Sequence, residues 1–214
     1  MSVIAPCITT ETADAYKVAV EKLSLFAHRV HIDVSDGEFT PSFLLPVQQL
    51  WWPQQWTVDI HAMVSRPEDY VAALINLKPH LITFHVETQT PLLPIISQIK
   101  QAGIQAGIAL MRPTVPSTVA ELIKAADHVM IFSGDLGHYG GKASLMQVEK
   151  IRLIRAINPA VEIGWDGGVS LENAYTLSQG GVDVLNAGGA IAMAPDPAAA
   201  YANLEVEMKK HGVI

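Results

Sequence analysis

Short apolar runs rich in β-branched residues alternate along the chain with longer stretches in which apolar residues recur at the spacing of a helix face. The apolar runs predict strands over residues 3–6, 29–34, 57–63, 81–85, 105–109, 128–132, 162–165 and 182–186. The periodic stretches predict helices over 11–25, 47–51, 67–77, 91–101, 115–125, 145–157, 171–179 and 197–210. Thr10 and Asp196 stand where a helix start needs a side-chain oxygen. Such alternation is typical of a parallel sheet, because each parallel pair of strands needs a crossover connection.

The eight strand–helix units follow one another without a linker or a low-complexity segment. The fold class we predict is α/β, a (β/α)₈ TIM barrel of the ribulose-phosphate-binding type, with residues 1–214 as a single domain. Spacing alone leaves a doubly wound open sheet as the alternative.

Composition narrows the function classes. Half of the residues are hydrophobic and 16% are charged, which is typical of a well-packed globular protein. A formal net charge of −7 gives nucleic acid no general reason to bind, since phosphate backbones need clustered Lys and Arg. No apolar run is long enough to cross a bilayer, and no secretory leader is evident, so we expect no membrane association and a cytoplasmic location. Cys7, the single cysteine, lies in an apolar strand and is interpreted as a buried side chain.

Several histidines and aspartates stand on the predicted strands or at their ends, where a barrel collects its reactive groups. His31 and Asp33 are two residues apart, so both point to one side of a strand. Together with His61 and Asp166 they form a candidate set for one divalent cation, and imidazole with carboxylate suits Zn²⁺, Mn²⁺ or Fe²⁺ better than Mg²⁺. The alternative is that each histidine is a core or rim side chain with its own hydrogen bonds.

Asp33 and Asp166 would also serve as two bases on opposite faces of a substrate. One carboxylate removes a proton from carbon while the other returns a proton to the opposite face, and a cation stabilises the intermediate enediolate. This arrangement predicts an epimerase.

Glycine-rich segments follow the last three strands, at residues 137–141, 166–168 and 187–189. Barrels of this class often hold phosphate there on backbone N–H groups, which crowd around an anion where no Cβ intervenes. The three segments predict a phosphate site.

At these positions the sequence resembles the ribulose-phosphate 3-epimerase family. The segment His31-Ile-Asp-Val-Ser-Asp-Gly-Glu-Phe-Thr-Pro41 is similar to the family signature H-x-D-V-M-D-G-x-F-x-P. The segment Asp59-Ile-His-Ala-Met-Val-Ser-Arg-Pro-Glu-Asp-Tyr70 is similar to D-x-H-L-M-V-x-x-P-x-x-Y. Later blocks around residues 82–87, 166–173 and 183–197 match in the same order, so the resemblance covers nearly the whole chain.

The resemblance implies an isomerase that inverts C3 of a ketose phosphate, with D-ribulose 5-phosphate and D-xylulose 5-phosphate as the expected pair, in the pentose phosphate pathway. It implies one divalent ion, with Zn²⁺ favoured over Fe²⁺ or Mn²⁺, and a homo-oligomer, either a dimer or a hexamer. The implied metal ligands are His31, Asp33, His61 and Asp166, and the implied acid/base pair is Asp33 and Asp166. The implied substrate and phosphate contacts are Cys7, Met63, Gly140, Gly141, Gly167, Gly168, Gly188 and Gly189.

The chain departs from the family pattern around the substrate. Cys7 replaces a serine, and Ser35 and Phe132 replace two methionines. The loop after the sixth strand reads Leu136-Gly-His-Tyr-Gly-Gly-Lys142 where the family has P-G-F-G-G-Q. These differences leave open an epimerase of another ketose phosphate, such as D-allulose 6-phosphate, and a non-catalytic barrel that binds a sugar phosphate. A Schiff-base aldolase is disfavoured, because no predicted strand carries or ends on a lysine.

Overall fold

Parallel strands close into a barrel in the computed structural model, which describes residues 2–134, 136 and 141–210. The strands are β1 (Val3–Ile8), β2 (Arg29–Ser35), β3 (Thr57–Met63), β4 (Leu81–His85), β5 (Gln105–Leu110), β6 (His128–Phe132), β7 (Glu162–Asp166) and β8 (Val184–Ala187). Each strand pairs with the next, and β8 pairs with β1 through Val3↔Val184 and Pro6↔Ala187. The predicted (β/α)₈ barrel is confirmed and the open sheet is wrong, since an open sheet would leave β1 and β8 unpaired.

Helices follow most of the strands and cover the outside of the barrel. They are α1 (Ala13–Leu23), α2 (Pro67–Asn76), α3 (Leu92–Gln101), α4 (Ala120–Ala125), α5 (Glu149–Ile157), α6 (Ala174–Gln179), α7 (Gly189–Ala192) and α8 (Pro197–Met208). Tight 3₁₀ turns at Pro116–Val119 and Leu145–Val148 replace the first turns of two predicted helices, and the predicted helix over 47–51 is only the turn Val47–Gln49. The short α7 was not predicted. Among the described residues, no helix is long and apolar enough to cross a membrane.

Some predicted ends are wrong for local reasons. Thr12, not Thr10, begins α1, because the Thr12 hydroxyl accepts a hydrogen bond from the Ala15 amide at 3.3 Å. The Thr10 carbonyl instead accepts from the Leu45 amide at 2.9 Å. The predicted eighth strand starts two residues early, since the Val182 amide still donates to Leu177 in the preceding turn. Asp196 does begin α8, with its carboxylate accepting from the Ala199 amide at 3.0 Å.

The two faces of each strand have different surroundings. On β2, Val30, Ile32 and Val34 are 1% exposed or less and belong to the hydrophobic core. Burial of such side chains contributes about 1.5–3 kcal/mol each to the stability of the fold. His31 and Asp33 alternate with them and therefore point into the barrel. The packing of β2 on its outer face thus fixes the direction of its polar side chains.

An ion cluster lies at the end of the barrel where the strands begin. Arg29, the first residue of β2, donates to both carboxylate oxygens of Glu162 at 2.8 Å and to Asp59 at 2.6 Å. His128 lies 2.8 Å from the same Glu162 carboxylate. This cluster joins β2, β3, β6 and β7 far from their carboxyl ends.

Candidate active site

The side chains predicted as metal ligands meet inside the barrel. The set is His31, Asp33, His61 and Asp166, and one ligand atom from each lies within 4.8 Å of the other three. The Asp33 Oδ1 atom is 3.2 Å from His31 Nε2 and 3.0 Å from His61 Nδ1. The Asp166 Oδ2 atom is 3.6 Å from each of the same two nitrogens. A tetrahedral ion with ligands at about 2.0–2.1 Å separates them by about 3.3 Å, so these spacings fit one ion.

The strand register explains this convergence. His31 and Asp33 are alternate residues of β2, and Asp33 pairs with His61 on the adjacent β3. Asp166 ends β7 and comes from across the barrel. Closure of the sheet therefore brings together residues that are up to 135 positions apart in sequence, counted from His31 to Asp166.

The charges of this cluster favour a cation at its centre. Among the described residues, buried His31 Nε2 has no hydrogen-bond partner, because its contacts with the two carboxylates lack hydrogen-bond geometry. Burial lowers the pKa of His31, but Asp166 and Asp33 raise it, with a net rise to about 10. Burial by itself would raise the pKa of Asp33, but His31 and His61 lower it by more. The net pKa lies well below its usual range, so Asp33 is ionised at neutral pH. Two imidazoles and two carboxylates thus fit a divalent metal ion.

Sequence reasoning missed one residue that contacts this cluster. The Thr9 hydroxyl donates a hydrogen bond to Asp33 Oδ2 at 2.5 Å. Thr9 follows the end of β1, which is longer than predicted, and no motif singled it out. The contact leaves Asp33 Oδ1 directed at the imidazoles while Oδ2 is held by Thr9.

His85 and Glu87 continue the cluster behind His61. His85 Nε2 lies 2.8 Å from His61 Nε2, and its Nδ1 lies 3.4 Å from Glu87 Oε2. Burial, which outweighs the effect of Glu87, lowers the pKa of His85 to about 4, so the ring is neutral at neutral pH. His85 is therefore in direct contact with one of the candidate metal ligands.

A cavity of about 270 Å³ opens beside the cluster, close to the size of a small-molecule site. Asp33 and Asp166 both line it. The predicted substrate and phosphate residues that also line it are Cys7, Met63, Gly141, Gly167, Gly168, Gly188 and Gly189. Gly140 lies outside the described residues. Among the described lining residues there is no Lys or Arg, and Lys142 is exposed and does not contribute to the lining.

Two of the glycines are required by contact between loops. Gly167 and Gly168 have positive φ angles, +100° and +72°. A Cβ on Gly167 would lie 2.0 Å from the Gly134 amide nitrogen, and one on Gly168 would lie 2.2 Å from the Ala143 amide nitrogen. The loops after β6 and β7 therefore touch, which is a reason for glycine beyond the anion site expected from sequence.

Known proteins match both the sequence and the fold. The model of the Ribulose-phosphate 3 epimerase family matches residues 3–192. The chain belongs to this family. It is 32% identical over 196 residues to the chloroplastic ribulose-5-phosphate-3-epimerase of Arabidopsis thaliana, covering 86% of this chain and 69% of that protein. It is 31% identical to the ribulose-phosphate 3-epimerase of Mycobacterium leprae, covering 82% and 81%.

Among solved structures, 3-hexulose-6-phosphate synthase from Salmonella typhimurium aligns with a TM-score of 0.70 at 18% identity, over 97% of this chain and 98% of that chain. This likeness supports the fold alone. Membership of the ribulose-phosphate 3-epimerase family confirms the predicted isomerase of the epimerase class.

The residues that depart from the family pattern have different surroundings. Phe132 lines the cavity and packs against the rings of His61 and His85, with centroids 5.9 and 5.5 Å away. Ser35 does not line it, and its hydroxyl instead donates to the Ser42 carbonyl at 2.6 Å. Cys7 lines the cavity, but only 6% of its surface is exposed. Burial, reinforced by the charges of Asp166 and Asp33, raises the pKa of the Cys7 thiol, so it is not an activated nucleophile.

Proposed function

We propose that this protein is a metal-dependent epimerase that inverts C3 of a ketose phosphate and interconverts D-ribulose 5-phosphate and D-xylulose 5-phosphate. The observation that carries the proposal is the placement of Asp33 and Asp166 on one cavity, with two imidazoles between them and six glycines among the described lining residues. Family membership and the names of the curated relatives support the reaction and the substrate.

The metal would be held by His31, Asp33, His61 and Asp166. Nitrogen ligands and near-tetrahedral spacing favour Zn²⁺ over Mg²⁺, with Fe²⁺ and Mn²⁺ as the other candidates. When bound, a divalent cation supplies Lewis-acid stabilisation for substrate oxygens that become negative.

The two aspartates would carry the proton transfer. One carboxylate takes the proton from C3, and the electron pair of the broken C–H bond delocalises into the adjacent carbonyl as an enediolate. The other aspartate, protonated at that point, delivers its proton to the opposite face of C3. The substrate gains one proton and loses one, so the two aspartates exchange protonation states in each turnover. Thr9 and the two imidazoles restrict the Asp33 carboxylate to one orientation, which reduces the entropic cost of reaching the reacting carbon.

The phosphate would be bound by backbone N–H groups of the glycine segments. Gly141, Gly167, Gly168, Gly188 and Gly189 line the cavity, and no cationic side chain among the described lining residues competes for this role. Uncharged donors hold a phosphate through hydrogen bonds from several directions, which orients it as well as binds it. Cys7 and Met63 would contact the carbon chain of the sugar.

The test combines metal analysis with exchange of solvent deuterium into C3. Protein stripped of metal is assayed in D₂O with D-ribulose 5-phosphate and with D-allulose 6-phosphate, before and after Zn²⁺, Fe²⁺ or Mn²⁺ is added. We expect deuterium in the pentose phosphate only after metal is restored. Faster exchange into the hexulose phosphate would reassign the substrate, and no exchange with any metal or sugar would favour a non-catalytic binding protein.

Asparagine variants test the two bases. We expect Asp33→Asn and Asp166→Asn each to lower the exchange rate by about 10²–10⁴-fold, which is the usual contribution of a general acid or base. Asp196→Asn is the matched control, because asparagine begins a helix as well as aspartate does and this residue lies outside the cavity. Exchange within tenfold of wild type in both site variants would contradict the two-base mechanism. The homo-oligomer and the cytoplasmic location stay predictions, the first open to sedimentation analysis.

A further inference from the structure

The two ring nitrogens of His61 have different partners. Nδ1 faces the metal cluster, 3.0 Å from Asp33 Oδ1, while Nε2 lies 2.8 Å from His85 Nε2. If Nδ1 binds a metal ion it carries no proton, so neutral His61 carries its proton on Nε2. That proton points at His85, which must accept it.

The direction of the next hydrogen bond follows. Because His85 accepts at Nε2, its own proton lies on Nδ1, which faces Glu87 Oε2 at 3.4 Å. Glu87 is fixed in turn, since its Oε1 accepts from the Met111 amide at 2.9 Å and from the Thr114 hydroxyl. The series of hydrogen bonds from His61 through His85 to Glu87 therefore has one arrangement of protons in which every donor meets an acceptor.

The surroundings hold His85 in this role. His61 and His85 are both fully buried, and the His85 ring packs against Phe39 and Phe132 with centroids 4.9 and 5.5 Å away. Both rings are shielded from bulk solvent, and His85 is the acceptor that the structure places against His61 Nε2. The Lys150 ammonium donates to the Met111 carbonyl at 2.7 Å and steadies the backbone that holds Glu87.

We propose that His85 and Glu87 are positioning residues for the metal site, which fix the tautomer and the ring orientation of His61. Outer partners of metal-bound histidines act in this way, and their loss typically weakens metal binding by about 10–100-fold. The proposal rests on the proposed function, because it presupposes a metal ion at His61 Nδ1.

The experiment compares two substitutions that differ in the acceptor. Glutamine can place a carbonyl oxygen near the position of His85 Nε2, whereas leucine has no acceptor. We expect His85→Leu to raise the Kd for Zn²⁺, measured by competition with a chelator, by about 10–100-fold. His85→Gln should keep the Kd within about threefold. His128→Leu is the control, since it also removes a buried histidine from a carboxylate contact, but at the other end of the barrel, and its Kd should not change.

A second measurement needs no variant. Long-range ¹H–¹⁵N spectra of the Zn²⁺-loaded wild-type protein distinguish histidine tautomers, and we expect a proton on Nε2 of His61 and on Nδ1 of His85. A proton on Nε2 of His85, or equal weakening of Zn²⁺ binding by the leucine and glutamine variants, would overturn the proposal. Unchanged Zn²⁺ affinity in His85→Leu would also overturn it while leaving the proposed function intact. Failure of the wild-type protein to bind any metal would instead refute the proposed function itself.

Discussion

Contact between the loops after β6 and β7 makes Gly168 sensitive to a single methyl group. Gly168 has φ +72°, and a Cβ there would lie 2.2 Å from the Ala143 nitrogen and 2.9 Å from the Ala143 Cα. Ordinary van der Waals contact begins at 3.4 Å, so the two loops would have to separate by roughly 1 Å. Since Gly168 lines the cavity, this separation would move the proposed phosphate site relative to the aspartates.

The matched control is Gly103→Ala. Gly103 has nearly the same φ, +77°, but a Cβ there would meet no atom of the described residues within 4 Å. In both variants an alanine must adopt a left-handed conformation, which lowers the unfolding free energy by about 1 kcal/mol. Any difference between the two variants therefore comes from the contact with Ala143.

A displacement of about 1 Å can lower the rate about 100-fold, which equals about 2.7 kcal/mol of transition-state stabilisation. We therefore expect kcat/KM for C3 exchange to fall about 100-fold in Gly168→Ala and less than about twofold in Gly103→Ala. Exchange rates over a range of substrate concentrations, with Tm measured for both variants, provide the assay. A wild-type kcat/KM in Gly168→Ala would refute the reasoning, and an equal loss in both variants would assign the effect to φ alone.

Two further predictions concern Glu162, at the end of the barrel where the strands begin, and the Cys7 thiol. Burial by itself would raise the pKa of Glu162, but Arg29 and His128 lower it by more, so its pKa in the folded protein lies below the ordinary 4.5. The ionised Glu162 therefore stabilises the folded state above about pH 4.5, and this contribution is lost as the pH falls. Glu162→Gln should therefore lower the unfolding free energy by about 2 kcal/mol near pH 7 and by progressively less at lower pH. Urea unfolding over a range of pH measures this difference. A difference from wild type that does not vary with pH would contradict the prediction. The buried Cys7 thiol, whose pKa burial raises, should react with a disulfide reagent at least about tenfold more slowly in the native protein than in the urea-unfolded chain. Cys7→Ser should retain C3 exchange, and equal thiol reactivity in the folded and unfolded states would show that the thiol is accessible.

The strands could be predicted because their signal is local. Each barrel strand is buried on its outer face, so apolar residues such as Val30 and Ile32 mark it without reference to distant parts of the chain. The helix ends were less predictable, because Thr10 and Thr12 are equivalent as sequence and only the hydrogen bond to Ala15 distinguishes them. The 3₁₀ turn at Val47–Gln49 likewise has no distinct periodicity.

The candidate metal site could be predicted from the sequence for a related reason. His31 and Asp33 share one face of a strand, and strand ends in a barrel meet at one mouth, so convergence with His61 and Asp166 could be anticipated. The role of Thr9 could not be anticipated, because it depends on where β1 ends and on how close that end lies to Asp33 on the neighbouring β2.

The sequence by itself determined the alternation of strands and helices, the family, and the four candidate metal ligands, since each depends on local spacing or on a contiguous motif. The tertiary structure alone decided which nitrogen of His61 meets His85, which oxygen of Asp33 meets Thr9, and why Gly167 and Gly168 cannot carry a side chain. These features are distances between neighbouring strands or between the loops that follow them, and such distances exist only after the strands have paired.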